Sequence, residues 1–287
     1  MKLRSMLFVP GDSERKFVRA ETTGADALIL DLEDSVAPSE KAKARAQVAD
    51  LLDDVAPRRW TFFVRINALD SGLALADLAS VVKPGLDALM LPKAGGGRDI
   101  ERLGHYLDVL EVAAGMPLGG VKIVPVATET AQALFALGSY VPAHPRLVGF
   151  TWGGEDLAAA LGAAANREPD GSWTFPYEVA RAQCLFAACA AEVTPIDTIH
   201  ADFRNVAALE ADCRRSRRDG FLGRMAIHPD QVGVINACYS PSEAEIDAAR
   251  RIVEAFEANP GSGALAIDGK MVDIPHLKAA RKILASV

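Results

Sequence analysis

Eight short apolar runs, each followed by a longer amphipathic stretch, set the first constraint on what this chain can fold into. The runs are LRSMLFVP (3–10), DALILDLED (26–34), TFFVRIN (61–67), ALMLPKA (88–94), KIVPVAT (122–128), RLVGFTWG (146–153), PIDTIH (195–200) and RMAIHP (224–229). They are dense in Val, Ile, Leu and Phe rather than alternating with polar residues, as parallel strands covered on both faces are. Helical patterning fills the intervals, for example at 39–55, 98–114 and 176–191. An alternation repeated eight times predicts an α/β fold, and the count favours a (β/α)₈ TIM barrel over a doubly wound sheet. No GxGxxG follows the first strand and no GxxxxGK[ST] occurs. The glycines at 95–97 read as a flexible βα loop rather than a phosphate cradle.

The barrel is expected over 1–238, as a catalytic domain. Residues 239–287 read as a C-terminal helical appendage, or lid segment, able to cover the mouth of this barrel or a neighbour's. Ser242 and Glu245 form a capping box at the start of one helix. NPGSGALAIDGK reads as a Gly-rich break, and a last short helix spans 275–286.

With 287 residues the chain can bury the core of one barrel. A net charge of −7 argues against a nucleic-acid partner, while leaving room for a local basic patch. No run approaches the roughly 18–20 apolar residues of a membrane span. The run Met6 to Val9 is far short of a signal core. Cys184, Cys189, Cys213 and Cys238 form no CxxC pair and fall in helical patterning. A zinc site or disulfide framework is therefore disfavoured, and a cytoplasmic enzyme is the expectation.

Barrel chemistry sits at the C-terminal ends of the strands. Those ends carry Asp31, Glu33, Asp34, Arg65, Asn67, Lys93, Glu129, Glu155, Asp156, Asp197, His200 and His228. Helix capping accounts for one or two of them, and Asp156 and Ser13 both suit that role. It does not account for charge recurring at the same end of most strands. Carboxylates gathered on one face need a cation, a proton or a salt bridge. Oxygen donors without a Cys/His cluster suit Mg²⁺. Arg65 supplies a positive fork for a carboxylate or a developing enolate oxygen. His228 is read as a structural hydrogen-bonding residue. Absence of GxSxG leaves Ser–His–Asp chemistry without support.

LRSMLFVPGDSERKF, ADALILDLEDSVAP, FFVRIN, ATETAQAL, GFTWGGEDLAAALG, PIDTIHADF and GFLGRMAIHPDQVGVIN together, in this order, resemble the citrate lyase β-subunit-like proteins of the HpcH/HpaI aldolase group. Malyl-CoA, citramalyl-CoA and citryl-CoA lyases are relatives within that group. The likeness runs from Leu3 to Leu284. It implies a (β/α)₈ barrel in a homotrimer or hexamer. It implies a metal pair at Glu129 and Asp156 holding Mg²⁺, with Mn²⁺ as a substitute. Arg65 is then a catalytic residue contacting substrate oxygens, and Asp273, in KMVDIPHL, an acid/base group. Arg65, Glu129, Gly154, Glu155 and Asp156 line the substrate.

The implied reaction is reversible carbon–carbon cleavage of a β-hydroxyacyl thioester into an acyl-CoA and a 2-oxo acid. Backbone N–H groups near Gly153 and Asp156 join Arg65 in stabilising the negative oxygen. Arg4, Arg15, Lys16 and Lys93 are candidates for the CoA phosphates. Two departures from the family's pattern, Thr128 and Glu192, bear on substrate choice. Three other enzyme readings stay open: a citrate lyase β-type subunit acting on a carrier-protein thioester, a malyl-CoA-type thioesterase, and a CoA-independent 2-oxo-acid aldolase. A non-catalytic binding protein is disfavoured by the metal pair and Arg65.

Overall fold

A computed structural model describes residues 1–53 and 57–285. Eight parallel strands form a nearly closed barrel: β1 (Ser5–Pro10), β2 (Ala27–Asp31), β3 (Thr61–Arg65), β4 (Ala88–Leu91), β5 (Lys122–Pro125), β6 (Gly149–Phe150), β7 (Thr194–Asp197) and β8 (Gly223–Ala226). The hydrogen-bonded order is β5-β4-β3-β2-β1-β8-β7-β6. The remaining seam, β5 to β6, closes through parallel bridges Ile123–Leu147 and Val126–Thr151. Val148 N–H to Ile123 O at 3.1 Å and Ala127 N–H to Thr151 O at 2.8 Å complete it. Pairing is regular over only two residues of β6, which is why this strand is much shorter than the run 146–153 that announced it.

Strand parity builds the core. Met6, Ala27, Ile29, Phe63, Ala88, Met90, Val124, Ile196 and Met225 point inward and fill the barrel. Large residues sit beside small ones in register, as Met6 beside Ala27 and Phe63 beside Ala88. Each fully buried Phe, Ile or Met contributes about 1.5–3 kcal/mol. Their neighbours Leu28, Leu30, Phe62, Val64 and Leu89 point outward and are equally buried, which explains the unbroken apolar runs.

The helices are α1 (Glu14–Glu21), α2 (Lys41–Asp53), α3 (Ala74–Val81), α4 (Gly97–Ala113), α5 (Ala131–Ala136), α6 (Gly154–Leu161), α7 (Phe175–Ala190), α8 (Val206–Asp219), α9 (Pro229–Tyr239), α10 (Glu243–Ala258) and α11 (Ile274–Ala285). A 3₁₀ turn at Pro38–Glu40 precedes α2, and the expected end of that helix, residue 55, lies outside the described residues. The expected end of the last helix, residue 286, is also outside them. Gly97 opens α4 and donates its N–H to Ser139 Oγ at 2.8 Å, so the Gly-rich segment is a packed helix start rather than a flexible loop. All four cysteines lie on α7, α8 or α9. Among the described residues no helix is long and apolar enough to cross a membrane.

Two units are distinguished, Met1–Asn236 and Ala237–Val287. In the second, Ser242 caps α10 through Glu245 N–H while the Glu245 carboxylate accepts the Ser242 N–H at 2.8 Å. The segment read as a Gly-rich break contains a hairpin instead. β9 (Ala264–Ile267) pairs antiparallel with β10 (Lys270–Asp273). Asp268 and Gly269 make its two-residue turn at φ 50° and 75°, the left-handed pair that an Asp-Gly dipeptide favours. Phe256, Val272 and Leu277 form this unit's own core.

Candidate active site at the strand ends

Asp31 and Arg65 occupy register-matched positions at the ends of β2 and β3. Both share the inward parity of Ile29 and Phe63, so both face the barrel mouth. Arg65 Nε and Nη2 each donate to an Asp31 oxygen at 2.7 Å, a bidentate fork. Arg65 Nη1 lies 2.9 Å from Glu33 Oε2. Burial works against the charge on Asp31, but the guanidinium outweighs it and holds the carboxyl below its ordinary range. Two of the three Arg65 nitrogens are thus committed to Asp31, and Nη1 is the one turned to Glu33.

Behind this pair, Lys41 Nζ donates to the Leu32 and Glu33 carbonyls at 2.7 and 2.6 Å and to Asn67 Oδ1 at 2.9 Å. Asn67 is clamped in turn by buried Asp77, which takes both its N–H and Nδ2. Asn67 is therefore a support for the loops after β2 and β3.

Glu129 follows β5 and sits one residue before Thr130, whose hydroxyl caps α5 by accepting the Ala133 N–H at 3.1 Å. The Glu129 carboxyl is buried and accepts the Lys93 N–H. Burial pushes it up to about 8, and the negative charges of Asp156 and Glu33 add to that rise. Gly153 packs directly on it: a Cβ there would come 2.7 Å from Glu129 Cγ.

Asp156 lies in the first turn of α6, whose N-cap position is Gly153, so Asp156 is no cap. Its carboxylate is one-third exposed and 3.3 Å from Lys93 Nζ. Glu155 points to Asn166 Nδ2 at 3.1 Å, and Gly154 packs against the Trp173 ring. Ser13 takes the N-cap position of α1 without a side-chain cap bond.

Lys93 ties these parts together. It has a left-handed backbone, φ 51°, and pairs through Nζ with Glu33, with Asp34 at 3.5 Å and with Asp156. The expectation of a phosphate-binding surface lysine missed this role, and the sequence offers only its position after a strand. Arg4 belongs elsewhere. It lies at the N-terminal end of β1 and binds Asp26 through Nε and Nη2 at 2.8 and 2.7 Å, which removes it from the CoA candidates. Arg15 and Lys16 are exposed on the first turn of α1, beyond the C-terminal end of β1.

The other polar strand ends make contacts of their own. Asp197 is fully buried on the outward parity of β7, between Arg181 and Arg224 at 3.2 and 3.3 Å, and accepts Trp152 Nε1 at 2.6 Å. Despite burial, the two arginines hold it at about 2. His200 Nδ1 contacts Asp212 at 3.0 Å, and His228 stacks on Phe203 at 4.7 Å. Glu192 is exposed and precedes β7, at the strand's far end from the residues gathered at the barrel mouth. Asp273, in the second unit, ends β10 and contacts His276 Nδ1 at 2.5 Å. That contact, though the group is open to solvent, holds its carboxyl low.

Asp31, Glu33, Asp34, Glu129 and Asp156 stand with three cationic side chains, Arg65, Lys93 and Lys41. Two negative charges are in excess when all are ionised. Among the described residues no three His, Cys, Asp or Glu side chains converge into a metal cage. Mg²⁺ needs none, since it binds through one or two carboxylates and keeps several waters. The buried, charge-deficient Glu129 and the ammonium standing beside Asp156 fit a divalent, oxygen-seeking cation there.

The model of the HpcH/HpaI aldolase/citrate lyase family matches residues 4–229, and that of a C–C bond lyase of the TIM-barrel fold matches 177–287. A (3S)-malyl-CoA thioesterase of Cereibacter sphaeroides is 36% identical over 98% of this chain and 93% of its own. The citrate lyase subunit beta of Escherichia coli is 35% identical over 98% of this chain and 92% of its own. The crystal structure of CitE from Mycobacterium tuberculosis in complex with magnesium, acetoacetate and coenzyme A is 32% identical, with TM-score 0.78 over 99% of this chain and 97% of that one. Fold, strand-end site and full-length similarity agree: the chain belongs to the HpcH/HpaI aldolase/citrate lyase family.

Proposed function

We propose that the protein is a Mg²⁺-dependent carbon–carbon lyase. It cleaves, and in reverse forms, a β-hydroxyacyl-CoA of the malyl-, citramalyl- or citryl-CoA type, giving an acyl-CoA and a 2-oxo acid. The observation that carries this is the Glu129–Asp156 carboxyl pair beside Arg65 and Lys93 at the barrel mouth. Its support from relatives is a structure holding magnesium, a 3-oxo acid and coenzyme A.

Glu129 and Asp156 would hold the ion, which when bound polarises the oxygens of the 2-oxo acid end. Arg65 Nη1 binds a substrate oxygen, its orientation fixed by the Asp31 fork. The N–H groups of Gly154, Glu155 and Asp156 open α6 and favour a negative oxygen. As the carbon–carbon bond breaks, the substrate hydroxyl gives up its proton to water and becomes the oxo group of the 2-oxo acid, while the bond's electron pair passes to the thioester as an enolate. Asp273 delivers a proton to that carbon, or removes it in condensation.

A thioesterase is the second reading, favoured by the 36% identical malyl-CoA thioesterase. There water attacks the thioester and no carbon–carbon bond breaks. The test offers purified protein malyl-CoA, citramalyl-CoA and citryl-CoA, with Mg²⁺ and with EDTA, and follows products by mass. An acyl-CoA with a 2-oxo acid is the expected outcome. Free CoA with an intact hydroxy acid supports the thioesterase. No product from any ester, in protein that binds Mg²⁺, moves the assignment to a carrier-protein thioester or a CoA-independent aldolase.

A further inference from the structure

We infer that Lys93 is a built-in counter-ion of the carboxylate cluster: its ammonium holds Asp156 and Glu33 and gives up Asp156 to an entering divalent cation. The inference rests on the metal reading of Glu129 and Asp156.

Three observations carry it. First, Lys93 adopts a left-handed backbone, φ 51°, which is uncommon for a side chain with a Cβ. Two contacts anchor the residue: its N–H reaches Glu129 and its Nζ reaches Glu33. Second, the ammonium is 3.3 Å from Asp156 Oδ1 and 3.5 Å from Asp34 Oδ2, so one charge is shared among three carboxylates. Third, Lys93 is bound unequally. Glu33 is buried and close, while Asp156 is one-third exposed and at ion-pair distance. The weaker arm is the one toward the proposed metal ligand, so an entering cation competes for Asp156 without dislodging Lys93 from Glu33. The backbone N–H on Glu129 stays in place and keeps that carboxyl oriented. Lys93 is thus a positioning residue that sets metal affinity.

A positive charge beside a cation site weakens binding there, so removing it has a definite sign. Lys93→Met should bind Mg²⁺ about tenfold more tightly by calorimetry, from the loss of one like charge at short range. Its melting temperature in EDTA should fall, and Mg²⁺ should restore most of the loss. Lys93→Arg, which keeps the charge, should retain wild-type Mg²⁺ affinity within about threefold. In wild-type protein, amine-directed acetylation of Lys93 read by mass spectrometry should accelerate when Mg²⁺ is added. Mg²⁺ affinity in Lys93→Met equal to or weaker than wild type overturns the inference. Should that variant not fold, an acetylation rate indifferent to Mg²⁺ overturns it. Wild-type protein that takes up no Mg²⁺ fails at the earlier step, and the metal reading falls with it.

Discussion

Gly153 and Glu129 are packed so closely that the smallest side chain on Gly153 would come 2.7 Å from Glu129 Cγ. The glycine of the GGEDL segment therefore secures the position of a carboxyl 24 residues earlier in the chain. Gly153→Ala must push Glu129 aside, because overpacking of this kind is relieved only by movement. Mg²⁺ affinity should fall at least about tenfold, a cost of about 1.4 kcal/mol that lies within the usual range for overpacking. Calorimetric titration checks it, and unchanged affinity would mean that Glu129 does not hold the metal.

Glu129 also makes stability depend on pH in a stated direction. Its folded value, about 8, is above the ordinary 4.5 of a glutamate. The folded protein thus binds the extra proton, and the contribution is fully present below about pH 4.5 and lost as pH rises through 8. Metal binding needs the carboxylate and releases that proton. Mg²⁺ should therefore raise the melting temperature more at pH 9 than at pH 6. Glu129→Gln should remove this part of the pH dependence in EDTA. Equal Mg²⁺ shifts at the two pH values would contradict the coupling.

A stability prediction comes from the far side of the barrel. α7 ends in a Schellman arrangement, with Val193 N–H on Ala188 O at 3.0 Å and Glu192 N–H on Cys189 O at 3.2 Å. Glu192 occupies the left-handed position at φ 56°, where glycine is preferred. Glu192→Gly should stabilise the protein by about 1 kcal/mol without changing activity. Denaturant midpoints decide it, and a lower midpoint refutes the assignment.

In the second unit, His276 holds the Asp273 carboxyl low. His276→Gln should let that carboxyl rise. If Asp273 moves the proton, the acidic limb of the rate profile should shift to higher pH. Exchange of acyl-CoA α-protons with D₂O, followed across pH, measures this. An unmoved limb would show that His276 does not tune the step, and normal exchange in Asp273→Asn would remove Asp273 from the chemistry.

Much of this was legible in the residues, and the failures have physical causes. The barrel was readable because parallel strands buried on both faces leave unbroken apolar runs. Which polar strand ends serve the site was not separated, although parity carries the distinction. Asp31 and Arg65 lie two residues from inward Ile29 and Phe63, whereas Asp197 is next to inward Ile196 and turns out toward the helices. Arg4 was misplaced because its charge was counted without regard to which end of β1 it occupies. The hairpin was hidden by a Gly-rich flank, yet Asp268-Gly269 between ALAI and KMVD announces it. Lys93 was not readable as a hub, since its contacts join residues 33, 129 and 156 that only closure of the barrel brings together.

The proposed function stands on Glu129 and Asp156 holding the metal on which turnover depends. The most direct test is Mg²⁺-dependent cleavage of the preferred acyl-CoA by Glu129→Ala and Asp156→Ala, each shown by circular dichroism to be folded. Both variants should lose turnover by at least about a thousandfold, the scale of removing a metal's charge stabilisation. Turnover within tenfold of wild type in either variant would contradict it.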